Sequence, residues 1–403
     1  MHARVRGAIL IAAAVVVPAT ALAQPAEGQP PPPEPAKAPE PPPVPPPPPA
    51  PAPAPAESPA KVVEQKPDAA SRFTWEPYGY LRLQYIVVEN DPNVEFVGRD
   101  DGFELQNARV GVRGTFDSRA AFVVSIDGAV DEREQINVPE GKLRVGLRDA
   151  FADVQVAGKV MARAGFFQSV FDPEALIGDT RRELVDKPIE SRGMRATEGY
   201  QTQGLTPGRS LGGALRLDPD MGVGFELAVQ NGADEFASNN DNDKPAVSGS
   251  LLGRFMTDSW VEAGVRYNPR TVGDLPFRQD ENDLQTSLGA HVESGPIHLG
   301  VGAIAQQTKF PTTGGPDQNA YGAHAQLLFA IPAAVPLAVG YRFGILDPSS
   351  LIVTDRVMEH TAGAVLGVPR LRMRVQLQLT HVVEQAARTL SNSRAQLAAE
   401  VAL

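Results

Sequence analysis

Eleven arginines fall at alternate positions of segments that switch between apolar and polar residues: Arg82, Arg109, Arg113, Arg163, Arg216, Arg254, Arg266, Arg342, Arg372, Arg374 and Arg394. A guanidinium stays charged at any accessible pH and presents a fixed fork of donors, so a set of them along a confined passage attracts anions. Eight acids share their parity: Asp127, Asp149, Asp153, Glu226, Glu262, Glu293, Glu359 and Glu400. Residues 72–403 as a whole hold 32 basic against 42 acidic residues, which puts the acid excess in the connections, such as Asp234 to Asp243 and Asp274 to Asp283. Inward arginines paired with inward acids only stiffen a wall. Clustered apart from acids they select ions, because a pore selects by local rings of charge. Two clusters are expected, Arg109 with Arg113 and Arg163, and Arg372 with Arg374, with Arg82 lining the same passage.

Covalent or metal chemistry has weaker support. The chain has no cysteine, which excludes disulfides and thiolate metal sites. His291, His298, His324, His360 and His381 lie outside any Gly-x-Ser-x-Gly or His-Glu-x-x-His motif. His291 and His298 flank the turn at Ser294-Gly295, with His324 one segment on. A zinc or copper site there is weighed against polar histidines facing a lumen, and the second is preferred, because no carboxylate pattern accompanies them in sequence. No metal, no cofactor and no enzymatic activity are expected.

The elements that position these residues are short and repeated. In Asp149 to Gln155, Ala150, Ala152 and Val154 alternate with Asp149, Phe151, Asp153 and Gln155. The alternation resumes after Gly158 with Val160, Ala162 and Ala164 opposite Met161, Arg163 and Gly165. A period of two puts neighbours on opposite faces of a sheet, and the intervening Gly marks a hairpin. Sixteen such segments run from Tyr78 to Leu403. Every second connection is a few turn-forming residues, and the alternate ones are long and polar, including 89–102, 131–146, 169–208, 232–246 and 269–282. Tight turns at one end and long loops at the other are the asymmetry of a transmembrane barrel. The expected fold is all-β, a 16-stranded antiparallel transmembrane β-barrel with short periplasmic turns and long external loops. Stripes such as Val223, Phe225, Leu227, Val229 and Leu337, Val339, Tyr341, Phe343 would face lipid. At this strand number the interior is wide enough for water.

Residues 1–23 have a basic start, an apolar run from Ala8 to Val17 and small residues at Ala21 to Ala23, the parts of a cleaved export signal. Residues 24–72 form a Pro-rich linker, with 19 prolines between Pro25 and Pro59. Proline lacks the backbone donor and fixes φ, so this arm should be extended polyproline II and not strand. A solvated spacer and a contact with peptidoglycan are both consistent with it. The barrel domain is placed at 73–403. The connection after Ser169 is too long to be a simple link and contains Phe171, Arg181, Arg182 and Lys187. Folded into the bore, it would set the constriction.

Arg163, Gly165, Phe167, Phe171, Glu174 and Leu176, and the earlier Asn107-Ala108-Arg109-Val110-Gly111-Val112-Arg113-Gly114, resemble signature stretches of the phosphate-selective porin O and P family. The resemblance is specific over these two stretches and architectural elsewhere. It implies a sixteen-stranded barrel, usually a homotrimer, in the outer membrane of a Gram-negative bacterium, with an inward loop and an arginine-rich path for small anionic solutes. Gln168 and Val170 stand where the family often has Lys and Pro, and only five lysines follow residue 72. The expected function is therefore passive diffusion of small solutes with mild anion preference, phosphate among them. A structural, adhesive or wall-linked barrel is the alternative, ahead of an outer-membrane enzyme. Outer-membrane lipid and lipopolysaccharide are the expected surroundings, and no nucleic acid is expected as a partner.

Deletion of residues 25–59 should leave the heat-modifiable migration of the folded barrel on gels unchanged, because this segment supplies no strand. Loss of the folded band would show that the arm is part of the structure.

Overall fold

The computed structural model describes residues 72–403 apart from 99–100, 118, 130–144, 173–176, 179, 233–238, 257, 274–275, 334 and 387–388. The export signal, the Pro-rich arm up to residue 71, Glu174 and Leu176 of the signature, and most of the expected loop 131–146 lie outside the described residues.

The strands are β1 (Phe73–Val88), β2 (Gly102–Phe116), β3 (Ala120–Asp127), β4 (Gly146–Ala157), β5 (Val160–Phe167), β6 (Ser210–Leu217), β7 (Gly222–Gln230) and β8 (Ala246–Met256). They continue with β9 (Ser259–Val272), β10 (Gln279–Ser294), β11 (Ile297–Lys309), β12 (Gln318–Ile331), β13 (Leu337–Asp347), β14 (Val357–Val368), β15 (Met373–Glu384) and β16 (Arg394–Ala402). Sequence neighbours pair antiparallel all the way round, and β1 closes on β16 from Tyr80↔Ala402 to Val88↔Arg394, giving a closed barrel of sixteen strands. The fold expected from the alternation is the one observed.

Closure turns the period of two into an inside and an outside. Outward residues are large, apolar and exposed, as at Val223 (72%) and Leu251 (62%), whereas the inward neighbour Arg82 is 0% exposed. A band of exposed apolar side chains this extensive is the surface of a protein solvated by lipid. Gly158 and Gly295 occupy positive φ (53° and 58°) in two-residue links between β4 and β5 and between β10 and β11, where the backbone must enter the left-handed region. Links 117–119, 158–159, 218–221, 257–258, 295–296, 332–336 and 369–372 share one end of the barrel, and the long connections share the other.

Three differences from the sequence reading have physical causes. First, β1 begins at Phe73 and not Tyr78; Pro77 pairs in register with Val112, since proline's φ is compatible with extended chain. Second, the alternation breaks phase at Arg148 because a β-bulge makes Ser125↔Asp149 and Ile126↔Leu147 consecutive pairs, leaving Arg148 as the extra residue. Third, much of the expected loop 269–282 is strand: Arg270 pairs with Glu281 at 2.8 Å, and Thr271 Oγ1 donates to Asp280 at 2.8 Å. Here β9 and β10 are polar on both faces, so no alternation marks them.

An epitope tag inserted at Asn239–Asn240, on the long-loop end, should bind antibody on intact cells, and one at Pro219 should not. The reverse labelling would invert the proposed sidedness.

Candidate functional site

Residues 168–209 connect β5 to β6 and turn back into the bore. The apolar side chains of this loop anchor it: Phe171, Ile189, Met194 and Leu205 form one buried cluster with the inward Ile304, Ala320, Leu346, Val357 and Val382 of β11 to β15. Small inward residues make room. A side chain at Gly322 would collide with Glu190, one at Gly344 would crowd Ile189, and one at Gly363 would meet Leu184. A single helical turn, Ile189–Arg192, rests on β12 and β13.

The polar side chains then tie the loop to the wall. Gln376 Nε2 and Arg374 Nη1 donate to the Arg182 carbonyl (2.9 and 2.6 Å), and Arg342 donates to the carbonyls of Asp186 and Lys187 (3.0 and 3.2 Å). Asp186 accepts from Gln378 and Gln396 at 3.0 Å each. Arg192 bridges Glu198 and Glu359 (2.7 and 2.8 Å), Arg394 also reaches Glu359 (2.7 Å), and Arg195 links Glu198 to Glu104 of β2 at 2.8 Å each. Burial works against ionisation of Asp186, but Arg192 and Arg394 outweigh it and hold the carboxyl below the ordinary range. Glu198 lies well below that range, burial being outweighed by Arg192 and Arg195. Burial of paired charges is costly to break, at about 3–5 kcal/mol when one partner is removed. The loop is therefore fixed in place.

The expected arginine clusters are resolved into separate pairs. Arg109 lies 3.4 Å from Asp127, Arg113 is 2.5 Å from Glu76, and Arg163 makes a two-pronged contact with Asp153 (2.8 and 2.7 Å) while its guanidinium covers the Phe151 ring at 3.8 Å. Arg109 and Arg113 are on β2 and Arg163 on β5, with two strands between them. The structure does not bring the three together. Arg82 and Arg374 both bind Glu400, at 2.6 and 2.9 Å. Arg372 corrects the second cluster: it sits at φ 48° in the exposed turn before β15, outside the inward face, because Pro369–Leu371 form a short helical turn that ends the strand pattern.

Within the loop, Phe171 is fully buried as an anchor, Arg182 is buried, and Lys187 is half-buried. Arg181 is exposed, and among the described residues its side chain has no ion pair. Sequence reasoning missed the loop acids. Glu183 meets His298 and Glu190 meets His324, so two lumen histidines are tied to the loop by carboxylates, while His291 bonds Glu293 at 3.0 Å. The signal was the interleaving of Glu183, Asp186, Glu190 and Glu198 with the basic residues of the same stretch. No group of His, Asp and Glu among the described residues has the arrangement of a metal site.

A cavity remains on each side of the loop. Toward the short turns, about 480 Å³ is lined by Arg163, Arg181, Arg209, Arg216, Arg254, Asp149, Asp218 and Trp260. Toward the long loops, about 740 Å³ is lined by residues 200–208 and the upper parts of β9 to β12.

Solved structures share this barrel. An anion-selective porin from Comamonas acidovorans superimposes with a TM-score of 0.61 at 14% identity, covering 82% of this chain and 100% of that one. The likeness is one of fold. The outer membrane channel DcaP of Acinetobacter baumannii gives 0.56 at 11% identity over 82% of this chain and 97% of its own. OmpT, an outer membrane protein of Vibrio cholerae in a trimer form, gives 0.56 at 11% over 82% and 99%. No protein-family model and no curated protein matches the chain.

The lowered Asp186 and Glu198 carboxyls set a pH window. A depressed folded pKa contributes stability that is complete at neutral pH and is lost progressively as pH falls below the ordinary carboxylate value, about 4, toward the folded value. Hydrogen exchange over 182–198, corrected for intrinsic rate, should show constant protection from neutral pH down to about 5 and a loss below about 4. Gly322→Val, which pushes Glu190 off the wall, should lose protection at neutral pH with the barrel still folded. Protection that collapses near pH 6, or a Gly322→Val loop as protected as the parent, would contradict the tethering described.

Proposed function

We propose that this chain is an outer-membrane porin, a water-filled channel for passive diffusion of small solutes with a mild preference for anions. The observation that carries the reading is a closed barrel, apolar outside and charged inside, with a long loop fixed in its bore. Residues 1–23 act as the export signal, 24–72 as the periplasmic spacer and 73–403 as the channel.

Arg216 and Arg254 share Asp218 (3.1 and 2.9 Å), as Arg82 and Arg374 share Glu400, so in each place two guanidiniums meet one carboxylate. Arg181 adds an exposed charge facing the cavity toward the short turns. Most other lumen arginines are neutralised by acids, which keeps the preference mild. Membership of the phosphate-selective porin family belongs to this proposal, supported by the signature strand Arg163–Phe167 leading directly into the inward loop.

Assembly as a homotrimer is also part of the reading. β3, β5 and β6 have eight residues each, short of the roughly 9 to 11 that a tilted strand needs to cross a bilayer. A neighbouring subunit over this low wall removes the mismatch with lipid.

In planar bilayers the purified protein should give discrete conductance steps and, in a KCl gradient, a reversal potential of anion-selective sign. Arg181→Glu should lower the chloride-to-potassium permeability ratio roughly twofold or more, as expected for a charge reversal in a narrow, partly screened passage. A silent bilayer defeats the channel reading, and an unchanged reversal potential removes Arg181 from the selective region.

A further inference from the structure

Two histidines stand on the outer wall, among side chains that are otherwise apolar. His360 of β14 and His381 of β15 are direct cross-strand partners. Their strand neighbours Glu359, Thr361 and Thr380 are buried toward the bore, so both imidazoles face outward. Each lies three residues from the long-loop end of its strand, about 10 Å at roughly 3.4 Å per residue, which places the pair toward the edge of the apolar band. Together they border an outer groove of about 530 Å³ lined also by Glu89, Ala362 and Ala395.

One nitrogen of each ring is held by a hydroxyl. His360 Nδ1 shares a hydrogen bond with the Tyr341 hydroxyl at 2.7 Å, and His381 Nδ1 with Ser393 Oγ at 3.0 Å. A hydroxyl accepts as readily as it donates, so each ring can keep its proton on Nδ1 and present a bare Nε2. Neither Nε2 has a hydrogen-bond partner among the described residues, and that of the half-buried His360 is open to solvent. An imidazole held at one nitrogen and open at the other is oriented as metal-binding histidines are. An ion joined to two imidazoles by bonds of about 2 Å sets the ring centroids roughly 4.5 to 6.5 Å apart, according to the angle between the bonds. Here they are 6.4 Å apart, with the rings inclined by 31°, and a modest turn of the exposed His381 closes the pair. Phe343, with its centroid 5.2 Å away, braces the other ring. Metal-binding clusters of three or more His, Asp and Glu are absent among the described residues, so the pair is a two-point chelate whose remaining positions fall to water.

We propose that His360 and His381 form a two-point site for a divalent transition metal on the outer wall of the barrel, bound through the Nε2 of each, with Tyr341 and Ser393 as positioning residues. Imidazole suits copper, nickel and zinc, and copper(II) binds such nitrogen and oxygen sets most tightly, whereas magnesium prefers oxygen ligands. This goes beyond diffusion through the bore. It holds or fails whether or not the barrel conducts.

The test is titration of the full chain, folded in detergent, with copper(II) chloride at about pH 7.5, where imidazole is neutral, in excess magnesium chloride. Calorimetry should show saturable binding, and the electron paramagnetic resonance of the bound copper should be split by two nitrogens. His360→Ala and His381→Ala should each weaken binding roughly tenfold or more and remove the two-nitrogen splitting. Tyr341→Phe, which keeps the ring and removes the hydroxyl, should weaken it within the roughly 10- to 100-fold range of a lost outer partner. All three positions face away from the bore, so heat-modifiable migration should match the parent. Should His360→Ala fail to fold, His381→Ala, at an exposed residue, decides alone. Absence of saturable copper binding, displacement by magnesium, splitting by a single nitrogen, or histidine variants that bind copper like the parent would overturn the proposal.

Discussion

A β-sheet with two free edges presents unpaired backbone donors and acceptors, and in a hydrocarbon surrounding nothing else can satisfy them. Everything else in this molecule follows from the pairing of β1 with β16, which removes both edges. Closure makes one parity of every strand an exterior and the other an interior. It also encloses a bore too wide for strand side chains to fill. The loop between β5 and β6 occupies that space, and the wall's glycines and alanines leave room for it.

Charge inside the barrel serves first to hold the loop. The network through Arg192, Glu198, Glu359, Arg394 and Asp186 is almost entirely buried, and buried ion pairs contribute more to a unique arrangement than to net stability. An apolar contact alone would leave the loop free to slide along the wall. Forked guanidinium contacts to carboxylates on different strands fix its register. The arginines that look from sequence like an anion path are thus largely engaged in holding the wall and the loop.

The two ends of the bore differ in kind. The cavity toward the short turns collects arginines that share acids, whereas in the one toward the long loops Arg270 meets two acids and Arg356 one. A single chain therefore offers two environments on either side of one loop, and a solute meets them in sequence.

Strand positions and in-or-out assignment were legible in the amino-acid order because the two-residue period is a local property: Val223 to Val229 must face one way and Glu226 the other whatever lies across the barrel. The inward loop was legible as excess length. Only the tertiary structure decided who meets whom. Arg109 and Arg113 share a parity with Arg163 yet stand on β2 with two strands between them and its β5, and each takes the acid beside it. Arg372 left the inward face because a turn, not a strand, claimed it. His298 and His324 found Glu183 and Glu190 more than a hundred residues away in sequence, a pairing that depends on where the loop lands. Periodicity fixes a side chain's direction, but its partner is set by strand register and by the path of a loop, and both depend on the closed barrel as a whole.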